Sequence, residues 1–438
     1  MTTTDDIELR RTIVDLDKRY LWHPYTEMGH WIEHGKPLVI QRAERSRLFD
    51  IDGRSFIDGN ASWWTSLLGH NHPRLVAALT RQASKLSHCS LAGITHEPAA
   101  MLAAELVSVA PTGLTRAFFS DDGSTSVEVA VKLCVQYWQQ TGHPNRYRFV
   151  ALDGAYHGDT LAPTSLGGVK EFRSPFDRIV MQVVHVPPAL DGYEQAFDQV
   201  RDLLRRESDS IAAVVVEPMV QGSAGMRTYS AKYLSQLRAL TKELGTLLVA
   251  DEVFTGYGRT GPFWACEHAD VQPDILCTAK GFSGGMLPMA ATLVSEPVFQ
   301  AFVGDKNRAF YYGHTFCGNP LGAAVAREVL AVYRDEAILL HAAAKSKKIA
   351  QAFAAFGQRP YVRAARSLGM IGAVELANES GYFSDSGWRV YDEALRRGAY
   401  VRPLGNVVYV TPALNIPDED LEELLATVGE SLDAALGK

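Results

Sequence analysis

The chain is poor in cysteine. Five occur in 438 residues (Cys89, Cys134, Cys266, Cys277 and Cys317), scattered, odd in number and without a CxxC pair. A disulfide framework or a thiolate zinc site is therefore not expected, and a reducing compartment suits the chain. Long apolar runs are also missing. The longest purely aliphatic stretch, Ile211 to Val216, is far too short to span a bilayer. Basic charge is not in excess: 43 Lys and Arg stand against 50 Asp and Glu, a net charge of −7. That gives no electrostatic reason to expect nucleic acid or an anionic membrane as a partner. Met1 to Asp6 is polar and acidic and lacks a signal-peptide h-region, so a cytoplasmic location is expected. No repeats or low-complexity stretches are visible. What remains is a chain 47% hydrophobic and 21% charged, long enough to hold more than one domain.

Residues 36–60 read as β, with Leu38 to Ile40, then Leu48 to Ile51 turning at Asp52-Gly53 into Ser55 to Ile57. From about 100 to 300, short apolar strands alternate with helices. The strands are Tyr147 to Leu152, Ile179 to Val184, Ala212 to Val216, Thr246 to Ala250 and Ile275 to Cys277. A helix starts at Gly123-Ser124, with apolar residues at 127, 131, 134, 135 and 138 along one face. Such alternation predicts a mostly parallel sheet covered on both faces. After about 330 a helical stretch leads to Gly369 to Val374, then two strands, Ala399 to Arg402 and Val407 to Val410. A terminal amphipathic helix follows Pro417, with acids in its first turn. The expected fold class is α/β. A large domain over 61–330 would hold the mostly parallel central sheet. Residues 331–438 would form a small α+β domain, joined by the N-terminal segment 1–60.

Two residues carry most of the chemistry. Lys280 follows the apolar run ending at Ala279, and Asp251 closes Thr246 to Ala250. An amine and a carboxylate, each closing a buried strand, point to pyridoxal 5′-phosphate (PLP). The amine can form a Schiff base with an aldehyde, and the carboxylate can keep a pyridinium nitrogen protonated. Each alone reads more readily as a surface lysine or a helix cap. Together, at strand ends where open α/β sheets bind ligands, they favour the cofactor.

Ser120 to Thr125 lies between a strand and a helix, where Gly123 and Ser124 could hold a phosphate; a plain N-cap needs no ligand. Tyr156, between Gly154 and Gly158, could lie on a flat cofactor ring or be one buried tyrosine in a loop. Glu217 before Pro218 could bond the ring oxygen or be a turn residue. Trp63 and Trp64 are adjacent, so in a strand they would face opposite sides, one in the core and one lining a channel. Arg402 could clamp a substrate carboxylate, although a lone arginine is commonly a solvated charge. His70 and His72, two residues apart without further ligands, read as strand-end or capping residues, and no metal is expected.

Asp251 to Gly261 (DEVFTGYGRTG), with Lys280 downstream, resembles the signature of the fold-type I, class III (ω-type) PLP aminotransferases, and the resemblance runs along nearly the whole chain. Leu21 to Thr26, Ser62-Trp63-Trp64, Thr95 to Ala99, Tyr156 to Thr160, Val220 to Gly222 and Arg402-Pro403 are similar to the members that aminate 8-amino-7-oxononanoate in biotin synthesis. The resemblance implies a homodimer with active sites at the subunit interface and ping-pong transfer of an amino group. Lys280 would bind the cofactor and move the proton. Asp251 would pair with the ring nitrogen, Val253 pack on the ring, and Gly123 and Ser124 bind phosphate. Thr315 would reach the phosphate held by the partner subunit. Tyr25, Trp63, Trp64 and Tyr156 would line the substrate pocket. Arg402 would take the acceptor's carboxylate, and Tyr409 would lie near the amino donor. Phe254, Gly281 to Gly285, His314 and Val410 to Ala413 depart from the adenosylmethionine-using members; several of these positions, with Leu287-Pro288 and Arg402 to Gly405, are more similar to the lysine-using members, whereas Trp64 pulls the other way. The donor thus stays open between S-adenosylmethionine and L-lysine. The alternative is a broad ω-amine or diamine:pyruvate aminotransferase. A PLP aminomutase or decarboxylase is formally compatible with the same cofactor. A non-catalytic module of this fold would not need both Lys280 and Asp251.

Overall fold

The structure is a computed structural model that describes residues 4–188, 190, 193–377 and 381–437. Its strands in chain order are β1 (Ile40–Glu44), β2 (Arg47–Asp50), β3 (Ser55–Asp58), β4 (Leu114–Ser120), β5 (Arg148–Leu152), β6 (Val183–Val186), β7 (Ile211–Val216), β8 (Val220–Gln221) and β9 (Arg227–Thr228). They continue with β10 (Leu247–Asp251), β11 (Ile275–Thr278), β12 (Ala290–Ser295), β13 (Val362–Leu368), β14 (Ile371–Leu376), β15 (Ala399–Tyr400) and β16 (Val407–Val410).

Seven strands form the central sheet in the order β4-β12-β11-β10-β7-β5-β6. β11 pairs antiparallel with β12, and β12 antiparallel with β4, while the other pairs are parallel. Only β12 therefore runs against the rest, giving a mostly parallel sheet in an α/β fold. The sequence explains its centre. β7 reads IAAVVV and every residue is buried, as a strand covered on both faces requires.

The reversal of β12 matters for function. The carboxyl ends of β4, β5, β7, β10 and β11 and the start of β12 share one edge of the sheet. The segments leaving that edge begin at Asp121, Asp153, Glu217, Glu252 and Ala279. This is where an open α/β sheet binds its ligand.

Two smaller sheets flank the large one. β13-β14-β16 is antiparallel, and β1-β2-β3 is joined by β15, whose Ala399 pairs parallel with Ile57. The N-terminal hairpin is thus hydrogen-bonded to the C-terminal part of the chain. Arg47 reinforces the join, donating to Asp420 Oδ1 at 2.6 Å in the first turn of the final helix, Asp418–Leu436. That helix buries Leu421, Leu424, Leu425, Val428, Leu432 and Leu436, each worth about 1.5–3 kcal/mol over exposure.

Some boundaries differ from the sequence reading. The strand expected over 179–184 is Val183–Val186, because Ile179 is 61% exposed and sits in a turn. The first strand begins at Ile40 rather than Leu38. Val362–Leu368 is a strand within what read as a helical stretch; its alternating half-buried and exposed residues include two arginines. Trp63 and Trp64 do not lie in a strand at all. They sit in a turn of four consecutive residues with positive φ, Ala61 to Trp64.

Candidate active site

At the carboxyl edge of the sheet is a cavity of about 440 Å³, the size of a small-molecule site. Lys280, Asp251, Gly123, Ser124, Tyr156, His157, Glu217, Val253 and Trp64 all line it. Residues from six separate segments of the sequence therefore meet in one place.

Lys280 opens a single turn of 3₁₀ helix after β11, with a strained left-handed backbone (φ 47°) that aims its amine into the cavity. Burial pushes its pKa down from the usual lysine value, and the charges of Asp251 and Glu217 only partly pull it back. The Nζ lies 5.3 Å from the centre of the Trp64 ring. A lysine with depressed pKa is a better nucleophile and a usable proton carrier near neutral pH.

Asp251 closes β10 and is buried. Its Oδ2 lies 2.7 Å from His157 Nδ1, and its Oδ1 accepts from Val253 N at 3.1 Å. Burial disfavours a charged His157, but the hydrogen bond and charge of Asp251, with the charge of Glu217, outweigh it and raise the pKa. His157 Nε2 is buried with no partner among the described residues. Sequence reasoning quoted this histidine only as part of a motif. Its role as the hydrogen-bond partner of Asp251 joins residues 94 positions apart, and no local pattern carries that.

Glu217 bridges two loops. Oε1 accepts from Tyr156 N and Oε2 from Gly222 N, each at 3.0 Å. Burial pushes its carboxyl up to about 7; the charge of His157 opposes that shift and the charge of Asp251 adds to it.

The opposite wall is the N-terminus of the helix Gly123–Gln140. Asp122 caps it in a capping box with Thr125, whose N–H donates to Asp122 Oδ1 at 2.8 Å. The N–H groups of Gly123 and Ser124 have no protein acceptor among the described residues. Close packing shapes this cradle. A Cβ on Gly123 would lie 2.6 Å from Val253 Cγ1, and one on Gly158 only 2.2 Å from Ser124 Oγ. Free N–H groups at the positive end of an 18-residue helix suit a phosphate.

Outside the cavity mouth is an aromatic vestibule. Tyr25 OH, Tyr156 OH and Asp159 are mutually hydrogen-bonded, with 2.9 Å between the hydroxyls. Tyr25 also packs against Trp63 and Phe172, at 5.5 and 5.4 Å between ring centres. Phe172 in turn meets Tyr382 at 4.8 Å. The half-buried Arg402 has its guanidinium 5.0 Å from the Trp63 ring and 5.5 Å from that of Trp388. Its charge partly lowers the Tyr382 hydroxyl pKa that burial raises, and it pairs with no carboxylate among the described residues. Phe172, Tyr382 and Trp388 escaped the sequence reading.

The tryptophans divide the work. Trp64 is 4% exposed and faces Lys280, and Trp63 is 39% exposed and faces Arg402. Tyr409 does not reach the cavity; it is buried behind Trp64, whose Nε1 donates to its hydroxyl at 3.1 Å. Thr315 is exposed and lies outside this chain's cavity. His70 faces Asp58 at 2.9 Å, and His72 caps the helix Pro73–Lys85.

Residues 31–432 match the family model of the class III aminotransferases. The chain belongs to this family. It is 36% identical to the adenosylmethionine-8-amino-7-oxononanoate aminotransferase of Geobacter sulfurreducens, over 98% of each chain. It is 38% identical to the protein of that name in Synechococcus elongatus, over 94% of this chain and 98% of the other. The crystal structure of the adenosylmethionine-8-amino-7-oxononanoate aminotransferase from Methanocaldococcus jannaschii superposes with a TM-score of 0.94 at 32% identity, covering 98% of this chain and all of that one.

The chain is thus a PLP-dependent aminotransferase. The cavity fits that cofactor on its own chemistry: one depressed lysine, one buried carboxylate with its own hydrogen-bond support, and two free N–H groups at a helix start. Among the described residues no helix is long and apolar enough to cross a membrane.

Proposed function

We propose that the chain transfers an amino group to 8-amino-7-oxononanoate, giving 7,8-diaminopelargonate in biotin synthesis, with S-adenosylmethionine as donor. The observation that carries the acceptor is Arg402. It is an arginine without a carboxylate partner among the described residues, set by two tryptophans, one of them the chain neighbour of Trp64 in the Lys280 cavity wall. A keto acid with its carboxylate on an apolar chain fits that arrangement. The names of the relatives in Geobacter sulfurreducens and Synechococcus elongatus support both substrates. A sulfonium with a flat base also suits aromatic walls.

Bound PLP supplies an aldehyde to take up the amino group and an electron-poor ring to stabilise the electrons left when a C–H bond breaks. The chain's residues do the rest. Lys280 Nζ would hold the cofactor and would carry a proton to and from the substrate carbon. Asp251 would keep the ring nitrogen protonated, and His157 holds that carboxylate in place. Val253 would pack against the ring, and Tyr156, on the loop after β5, would lie beside the cofactor. Gly123 and Ser124 would hold the phosphate by their N–H groups, and Glu217 would bond the ring oxygen. Tyr25, Trp63, Trp64 and Tyr156 line the substrate path and exclude water, with Tyr409 setting Trp64 from behind.

The active assembly in this reading is a cytoplasmic homodimer in which Thr315 reaches the phosphate of the partner subunit. Residues 1–60 and 331–438 act as a small domain against a large domain of 61–330.

Half-reactions test the reading. The purified PLP form is mixed with S-adenosylmethionine, L-lysine or a simple amine, and conversion to the cofactor's amine form is followed by absorbance. Conversion by S-adenosylmethionine, reversed by 8-amino-7-oxononanoate, is the expected outcome. Conversion by lysine would change the donor alone. Phe254, on the cavity wall 4.5 Å from the Trp64 ring centre, favours a second reading, an ω-amine or diamine:pyruvate aminotransferase with a narrower donor site. Reversal by pyruvate and not by the keto acid would establish that second reading and overturn the first.

A further inference from the structure

The turn that carries both tryptophans should not hold itself. Ala61, Ser62, Trp63 and Trp64 have φ of 46°, 45°, 61° and 75° in succession. L-residues enter this region singly, because Cβ crowds the following carbonyl, and none of the four is glycine.

A buried carboxylate two residues before the turn's N-cap meets it. Asp58 is 2% exposed. Its Oδ2 accepts from Ser62 N at 2.7 Å and Ser62 Oγ at 2.8 Å, and faces His70 Nε2 at 2.9 Å. Its Oδ1 accepts from Asn60 N at 3.2 Å. Asn60 extends the anchor. Its Nδ2 donates to Tyr409 O at 3.2 Å, and its Oδ1 accepts from Arg402 N at 2.6 Å. The backbones of Arg402 and Tyr409 are thus tied to Asn60, and the turn that carries Trp63 and Trp64 is tied to Asp58 through Ser62. Neither anchor residue lines the cavity.

We propose that Asp58, acting through Asn60 and Ser62, is a positioning residue for substrate recognition: it clamps the left-handed turn so that Trp64 covers Lys280 while Trp63 and Arg402 face the acceptor. The identity of the acceptor rests on the proposed function; the clamp itself does not.

The test compares Asp58→Asn and Asp58→Ala, each alone and in the Ala61→Gly background, as PLP-loaded enzyme. Glycine takes φ near 46° without the Cβ penalty, so it should lessen the need for the clamp. In Asp58→Asn, the cofactor's absorbance and affinity should stay within about twofold of wild type. The KM for 8-amino-7-oxononanoate should rise roughly tenfold, with kcat changed less than about threefold. The Ala61→Gly background should recover much of that loss. Thermal midpoints of the four combinations should be non-additive, with Asp58→Ala costing less when Ala61→Gly is present.

The proposal is overturned if KM is unchanged in Asp58→Ala, if cofactor affinity falls in step with KM, or if the two substitutions simply add. Should Asp58→Ala fail to fold, the nearly isosteric Asp58→Asn still decides through its KM and its coupling to Ala61→Gly. Wild-type enzyme that ignores 8-amino-7-oxononanoate would refute the proposed function, while the stability coupling, which needs no substrate, would still decide the clamp.

Discussion

Gly158→Ala should strike the phosphate cradle rather than the fold. Gly158 has φ of 118°, and a Cβ there would lie 2.2 Å from Ser124 Oγ, 2.7 Å from Ser124 Cβ and 2.8 Å from Ser124 Cα. The last contact is to backbone, so no rotamer change relieves it. The disfavoured φ costs about 1–3 kcal/mol. Overpacking adds about 1–3 kcal/mol unless Ser124 moves. Moving Ser124 displaces the N–H groups at the start of the helix Gly123–Gln140 that the phosphate would use. If about 2 kcal/mol of the strain is released only by that movement, PLP affinity falls about thirtyfold. Equilibrium dialysis gives the dissociation constant, and thermal midpoints with and without saturating PLP show whether the loss is specific to the loaded form. Gly53→Ala is the control. Its φ is 81°, but nothing lies within 4 Å of a Cβ there. It should lose about 1 kcal/mol of stability and no cofactor affinity. A Gly158→Ala enzyme that holds PLP within about twofold of wild type would refute the cradle.

Arg402→Met should raise KM for 8-amino-7-oxononanoate by roughly tenfold to a hundredfold and leave conversion by an amine lacking a carboxylate unaffected; steady-state and half-reaction kinetics separate the two. Burial pushes the Glu217 carboxyl up to about 7 from 4.5. The folded chain therefore keeps a proton that the unfolded chain releases, and stability falls as pH rises through that window. Glu217→Gln removes the penalty, so its urea-unfolding free energy relative to wild type should improve by up to about 3 kcal/mol between roughly pH 4.5 and pH 7, whatever constant offset its amide introduces. A pH-independent difference would count against the burial argument. Lys280, with its pKa pushed down by burial, should be acylated ahead of exposed lysines in the PLP-free protein at mildly alkaline pH, which peptide mapping would reveal.

Strand ends were legible in the sequence; loop geometry was not. Asp251 and Lys280 each follow an apolar run, so their placement at one sheet edge needs only the register of parallel strands. In β10 and β11, Asp251 pairs with Cys277, three residues before Lys280. Gly123-Ser124 could be found in the same way, from an apolar strand leading into a helical period. Val362–Leu368 was hidden because it carries an arginine on each face, Arg363 exposed and Arg366 half-buried, and lacks the apolar run that marked β7. The vestibule was only half visible, because Phe172, Tyr382 and Trp388 come from segments with no motif of their own.

The two tryptophans show where reasoning from period fails and why that matters. Alternation would place neighbouring side chains on opposite faces, and Trp63 and Trp64 do part, but a left-handed turn separates them rather than a pleat. No propensity foretells four L-residues with positive φ, because the local energy opposes it. Such a conformation persists only when distant groups over-determine it, and here they come from Asp58, His70, Arg402 and Tyr409. Arg402 and Tyr409 lie more than 300 residues away, on segments of the C-terminal part of the chain. Asp251 closes a strand of the regular sheet and Lys280 follows the next strand by two residues, so local sequence dictates where they stand. The substrate wall stands on strained backbone held by long-range bonds. Within one family, substitutions in those bonds could then reshape the wall without touching Lys280 or Asp251, which is how a shared cofactor site can serve different amines.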